Sequence, residues 1–238
     1  MENYRHIIEC VNTFHGEFPF PGRICTLLRF RSCNLSCDFC DTKEAMWTKT
    51  SVFTSDYELY RKLGNLLSNT RNLLITGGEP GLYTTSISSI IDYLFVSDIF
   101  VETIQIETNG LLLDRWQDLY SSFRKSIVYS LSNLLFVIWS PKFVSEEETE
   151  KNFTRLYETF NVLKSITYIK LLDNPEWEQI VDSFIKLAVK LYGETVKKRI
   201  SLMPVTKNDT TEYKSTIEKC LKWGINLSPR LHLMLRVP

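Results

Sequence analysis

Between residues 24 and 223 the chain alternates short apolar runs with amphipathic stretches, and this alternation constrains its fold more than any other feature. Runs rich in Ile, Leu and Val fall at residues 24–30, 73–76, 102–108, 134–139, 167–172 and 200–203, each of strand length. Helical patterns separate or follow them at 56–67, behind a possible cap at Ser55, and at 85–95, 114–123, 146–163, 176–191 and 210–223. Strand, helix, strand in repetition builds βαβ units, whose strands run parallel. Six such units are too few for the eight of a closed barrel. The expected fold is therefore α/β, an incomplete TIM-type barrel of about six parallel strands with helices outside.

At 238 residues, with no Ser/Gly-rich linker, low-complexity tract or internal repeat, the chain reads as one domain spanning 1–238. Lys plus Arg and Asp plus Glu are equal at 28 each, which removes any general electrostatic case for nucleic acid or membrane partners. No run approaches the roughly 20 apolar residues of a membrane span. The start, Met1-Glu2-Asn3-Tyr4-Arg5-His6, lacks a basic segment leading into an apolar one. A soluble, cytoplasmic protein is expected. The acidic run Glu146-Glu147-Glu148 suits the positive end of a solvated helix.

Three of the six cysteines, Cys33, Cys37 and Cys40, are spaced C-x3-C-x2-C directly after the first expected strand. Active residues of parallel sheets sit at such strand ends, and soft thiolates this close together suit iron–sulfur clusters or zinc. A structural zinc site takes four ligands, and no fourth Cys or His lies within this loop. Three ligands to a four-iron cluster instead leave one iron open to a small molecule's amino and carboxylate groups. Cys10, Cys25 and Cys220 are scattered and read as core residues.

The loop Cys33-Asn34-Leu35-Ser36-Cys37-Asp38-Phe39-Cys40, aromatic before its last cysteine, closely resembles that of the radical S-adenosylmethionine superfamily. Thr76-Gly77-Gly78-Glu79-Pro80 is similar to the superfamily's Gly-Gly-Glu-Pro element, and Glu107-Thr108-Asn109-Gly110 to its ribose-proximal segment. Ser140-Pro141-Lys142 and Met203-Pro204 also resemble cofactor contacts at strand ends. The resemblance implies a radical SAM core with a [4Fe-4S] cluster on the three cysteines. It further implies S-adenosylmethionine against Phe39, Asp41, Gly78, Glu79, Asn109, Ser140, Lys142, Met203 and Pro204.

Within the superfamily, the chain resembles the 7-carboxy-7-deazaguanine synthase family along almost its whole length. The residues that carry this are Phe14-His15-Gly16-Glu17, Arg29-Phe30, Cys40-Asp41-Thr42 and Ser228-Pro229-Arg230-Leu231-His232. The likeness implies conversion of 6-carboxy-5,6,7,8-tetrahydropterin to 7-carboxy-7-deazaguanine with loss of ammonia, in queuosine-type biosynthesis. It implies Mg²⁺ at Thr42 and the substrate carboxylate at Arg29, where a guanidinium suits a planar carboxylate. Phe14, His15, Gly16 and Glu17 are implied at the pterin edge, with Thr76, His232 and the terminal carboxylate of Pro238 also at the substrate. A flavodoxin or ferredoxin as electron donor and a homodimeric state follow from the same likeness.

The chain departs from the family pattern at His15, where Gln is usual, and at Phe18 and Ser32, where Gly is usual. His15 leaves room for a related bicyclic substrate, and Ser32 implies backbone that avoids positive φ or bears strain. Two other readings share the cysteine loop. One is an activase that installs a glycyl radical in a partner enzyme. The other is a zinc-stabilised binding module without enzymatic activity.

Overall fold

The computed structural model describes residues 2–112, 115–116, 134–162, 166–205 and 210–237. Among these residues eight strands pair in chain order: β1 (Ile7–Phe14), β2 (Ile24–Phe30), β3 (Asn72–Gly77), β4 (Thr103–Thr108), β5 (Leu135–Trp139), β6 (Ile166–Asp173), β7 (Ile200–Pro204) and β8 (Asn226–Leu227). From β2 to β8 every pairing is parallel, and β2 to β7 are the six strands expected from the apolar runs. β1 and β8 were not expected. β1 pairs antiparallel with β2 at the sheet edge, and its polar Glu9 and Asn12 interrupt the apolar run that marks a strand covered on both faces. β8 has two residues, too few for any period.

Helices α1 (Lys43–Trp47), α2 (Asp56–Thr70), α3 (Thr84–Val96), α4 (Glu146–Val162), α5 (Glu178–Tyr192), α6 (Thr210–Trp223) and α7 (Leu231–Leu235) accompany the sheet. The helix expected at 114–123 lies outside the described residues apart from 115 and 116. At α2 the expected cap is present: Ser55 Oγ accepts from Glu58 N–H (3.2 Å), and Glu58 reaches back to accept from Thr54 N–H (2.9 Å). Leu59, Leu63 and Leu67, spaced by four, bury one face of α2. In α5 the buried positions Val181, Phe184, Ile185 and Ala188 form the same kind of stripe. Among the described residues no helix is long and apolar enough to cross a membrane.

Because β2 to β7 run parallel, their C-terminal ends form one rim. Register keeps the rim level, pairing Phe30 with Gly77, Thr108 with Trp139 and Asp173 with Pro204. The two edges of the sheet are also joined to each other by hydrogen bonds. Leu231 N–H donates to Gly16 O (2.9 Å), and Phe18 N–H to Ser228 Oγ (3.1 Å), so the segment after β1 is fastened to the segment after β8.

Candidate active site

The cysteine loop leaves the rim at the end of β2 and is held by the end of β3. Gly78 N–H donates to Phe30 O (3.0 Å) and Glu79 N–H to Ser32 O (2.8 Å). A Cβ on Gly78 would lie 1.7 Å from Ser32 O, so no larger residue permits this approach. Ser32 itself has φ 60, the left-handed region, and is the strained alternative of the two expected there. Cys33, Cys37 and Cys40 are half-buried and free of disulfides, whereas Cys10, Cys25 and Cys220 are buried, as expected of core residues. Burial pushes the Cys33 thiol up and the Cys37 thiol up to about 11. The protein alone thus favours the protonated thiols, and metal binding must displace those protons.

The donor set fits a multi-iron cluster better than a single ion. One tetrahedral zinc would draw its thiolates to about 3.8 Å from one another, from Zn–S bonds of about 2.3 Å. Among the described residues, the group whose ligand atoms all lie within 4.8 Å of one another is Glu17, Asp41 and His232, and it contains no cysteine. Two members of that group already have protein cations. Asp41 pairs with Arg230, and Glu17 with Lys170.

Glu79, buried, joins the ends of β3 and β4. Its carboxylate accepts from Gly81 N–H (2.7 Å), Thr108 Oγ (2.6 Å) and Asn109 N–H (2.7 Å). Burial raises its pKa, and these three donors oppose that rise. Asn109 Nδ2 donates to Asn34 Oδ1 (2.8 Å) inside the cysteine loop, and Trp139 Nε1 donates to Asn109 O (3.0 Å). At the end of β5, Lys142 Nζ donates to Ser140 Oγ (2.6 Å), which donates in turn to Lys170 O (3.0 Å). Burial and then the nearby Lys170 ammonium push the Lys142 amine below its ordinary value.

The other wall carries the charges. Arg29 Nε pairs with Glu9 Oε2 on β1 (2.6 Å). Lys170, buried on β6, pairs with Glu17 and lies 3.5 Å from Glu107 Oε1. Burial opposes its charge, but Glu107 and Glu17 outweigh burial and raise its pKa. Burial likewise pushes Asp41 up, yet Arg230, with Lys170 and His232 behind it, holds the carboxyl below its ordinary value. His15 is buried, with Nε2 unpartnered, and its pKa is pushed down to about 4 by burial and then by Arg23. Thr42 stands at the start of α1, with Oγ1 3.7 Å from Cys40 Sγ and no capping bond from its side chain.

A cavity of about 610 Å³ at this rim unites both walls. The three cysteines and Thr42 line it, as do Phe39, Asp41, Gly78, Glu79, Asn109, Ser140, Lys142 and Met203. So do Phe14, His15, Gly16, Glu17, Arg29, Thr76 and His232. Pro204 ends β7 beside Asp173 and is not among the residues that line this cavity. Pro238 lies outside the described residues. Glu9, Glu107, Lys170 and Arg230 also line the cavity and were not singled out for the site. One signal was available: Lys170 interrupts an apolar strand, where a charge requires a partner.

A parallel open barrel with a three-cysteine loop after its first parallel strand and a Gly-Gly-Glu-Pro turn after the next defines a class. The radical SAM superfamily's family model matches residues 27–134 of the chain. Its curated relatives include 7-carboxy-7-deazaguanine synthase of Hyperthermus butylicus, 25% identical over 240 residues, covering 98% of this chain and 93% of the relative. The Haemophilus influenzae protein of the same name is 35% identical over 109 residues, covering 44% of this chain and 46% of the relative. The crystal structure of QueE from Escherichia coli shares the fold, with TM-score 0.58, 22% identity and coverage of 96% of this chain and 97% of that one.

Proposed function

We propose that the chain is a radical SAM lyase, acting as a single domain, that forms 7-carboxy-7-deazaguanine from 6-carboxy-5,6,7,8-tetrahydropterin with loss of ammonia. This is a step of queuosine-type biosynthesis. The observation that carries the reading is that one cavity joins the cysteine loop to Arg29, Glu17, Thr76 and His232. The full-length likeness to proteins named 7-carboxy-7-deazaguanine synthase supports the same substrate.

In this reading Cys33, Cys37 and Cys40 hold the [4Fe-4S] cluster, and the strand ends at Gly78, Asn109, Ser140 and Met203 receive S-adenosylmethionine. When bound, these groups supply the carbon radical that takes a hydrogen atom from the substrate. The chain's own residues orient that substrate. Arg29 engages Glu9 through Nε, leaving the outer edge of its guanidinium to bind the substrate carboxylate in a bidentate manner. Glu17 accepts ring N–H groups, and Thr76 and His232 fix the ring laterally. Thr42 would offer its hydroxyl to a bound Mg²⁺, which would supply positive charge for the substrate carboxylate. A flavodoxin or ferredoxin donor, a homodimeric state and a cytoplasmic location belong to the same proposal.

The test is anaerobic reconstitution followed by incubation with reductant, S-adenosylmethionine, Mg²⁺ and 6-carboxytetrahydropterin. Expected are about four irons per chain, a charge-transfer absorption band and 7-carboxy-7-deazaguanine by mass. Release of 5′-deoxyadenosine without that product would discard the substrate and keep the class. One zinc and no colour would discard the class.

A further inference from the structure

We propose that Lys170 is a positioning residue that sets which ring the cavity accepts, by holding Glu17 fast with one carboxylate oxygen left for the ligand. This rests on the reading of Glu17 as a substrate contact.

Along β6, Ile169 and Leu171 are fully buried on one face of the sheet, whereas Lys170 and Leu172 face the cavity. A lysine there loses its hydration and must be compensated by partners. Its side chain is 7% exposed and serves two carboxylates, Glu17 and Glu107. Glu107 is fixed in turn: Oε2 accepts from Thr76 Oγ1 (3.2 Å) and Oε1 from Gln105 Nε2 (3.3 Å). A polar chain therefore runs Thr76, Glu107, Lys170, Glu17, from β3 through β4 and β6 to the segment after β1. It connects two residues assigned to the substrate that are otherwise separate.

Glu17 Oε2 is taken by Lys170. No described residue hydrogen-bonds Oε1, and His232 Nε2 is 3.9 Å away, beyond hydrogen-bond range. Glu107 has donors on both oxygens, from Thr76, Gln105 and Lys170, and Lys142 acts on Glu17 only through its charge, so among the described residues Glu17 Oε1 is the carboxylate oxygen of this pair left without a donor. A ligand that presents N–H donors at that oxygen satisfies it. A ligand that presents a carbonyl leaves two acceptors facing each other away from bulk water, which is penalised. The cavity thus selects a 2-aminopyrimidinone edge over its 2-oxo counterpart, and Lys170 enforces that choice by keeping Glu17 from turning away.

The experiment compares reconstituted wild type, Lys170→Met, Lys170→Arg, Glu17→Gln and the double variant Lys170→Met/Glu17→Gln. Each is assayed on 6-carboxytetrahydropterin and on its 2-oxo analogue. Wild type should prefer the 2-amino ring by roughly 100-fold in kcat/KM. Lys170→Met should raise KM by roughly 30-fold or more, with kcat falling less, and bring the two rings to within about threefold. Lys170→Arg should recover most of the preference. Glu17→Gln should mimic Lys170→Met, and the double variant should be no worse than either single one, because the two act as a unit. Iron content should stay at the wild-type level in every variant, which checks that each has kept its fold.

Folded Lys170→Met with wild-type KM and ring preference would overturn the inference, as would additive losses in the double variant. Should Lys170→Met fail to fold, wild-type ring preference in Glu17→Gln would overturn it equally. Wild type inactive on the pterin overturns the underlying function and this inference together. Active wild type with indifferent variants removes the inference alone.

Discussion

Gly16 and His232, from opposite ends of the chain, lie so close that a Cβ on Gly16 would fall 1.9 Å from His232 Nδ1. With the bond from Leu231 N–H to Gly16 O, this contact closes one wall of the cavity. Gly16→Ala should push the two segments apart, at a cost of about 1–3 kcal/mol in stability. It should raise the substrate KM while leaving iron content and substrate-free cofactor cleavage intact. Kinetics alongside thermal melts check this, and an unchanged KM in a destabilised protein would mean that the contact serves only the fold.

Glu79 gives a second expectation. Alanine there would leave the Gly81 and Asn109 N–H groups buried without their acceptor and remove that of Thr108, costing about 3–5 kcal/mol in total. Glu79→Gln preserves the shape and should cost about half as much. Chemical denaturation of the three proteins should rank them wild type, Gln, Ala. Equal midpoints would show that water reaches these groups.

The buried imidazole of His15 predicts an acid-sensitive stability. Its folded pKa is lowered from 6.5 to about 4 by burial and then by Arg23. As pH falls through that interval the unfolded chain takes up a proton that the folded chain refuses. The contribution of His15 is therefore fully present above pH 6.5, declines between 6.5 and about 4, and is flat below. The full effect is at most about 3 kcal/mol. Urea midpoints of wild type and His15→Gln should diverge across this window, with wild type losing more. A constant difference from pH 7 to pH 4 would contradict a buried neutral imidazole.

The two ends of the cysteine loop should separate experimentally. Cys37→Ala should abolish iron retention and all cleavage of S-adenosylmethionine, since two thiolates cannot hold the cluster. Thr42→Ala should keep both and change mainly the Mg²⁺ dependence of product formation. Iron analysis, 5′-deoxyadenosine yield and a Mg²⁺ titration decide the matter, and equal loss in both variants would contradict the division.

Six parallel strands, the cap at Ser55 and the three-cysteine loop were legible in the amino-acid sequence because each depends on neighbours within a few positions: a run of apolar residues, a side chain three residues from a free N–H, or fixed spacings between thiols. The placing of motifs at strand ends was legible for the same reason, since a parallel sheet sends every strand end to one rim. β1 escaped notice because an edge strand tolerates Glu9 and Asn12. Only the tertiary structure decided which charges meet. Arg230 reaches Asp41, Lys170 reaches Glu17, His232 packs on Gly16, and Pro204 stays out of the cavity. Such pairings depend on how the loops from the two sheet edges come together, and no local period encodes that distance.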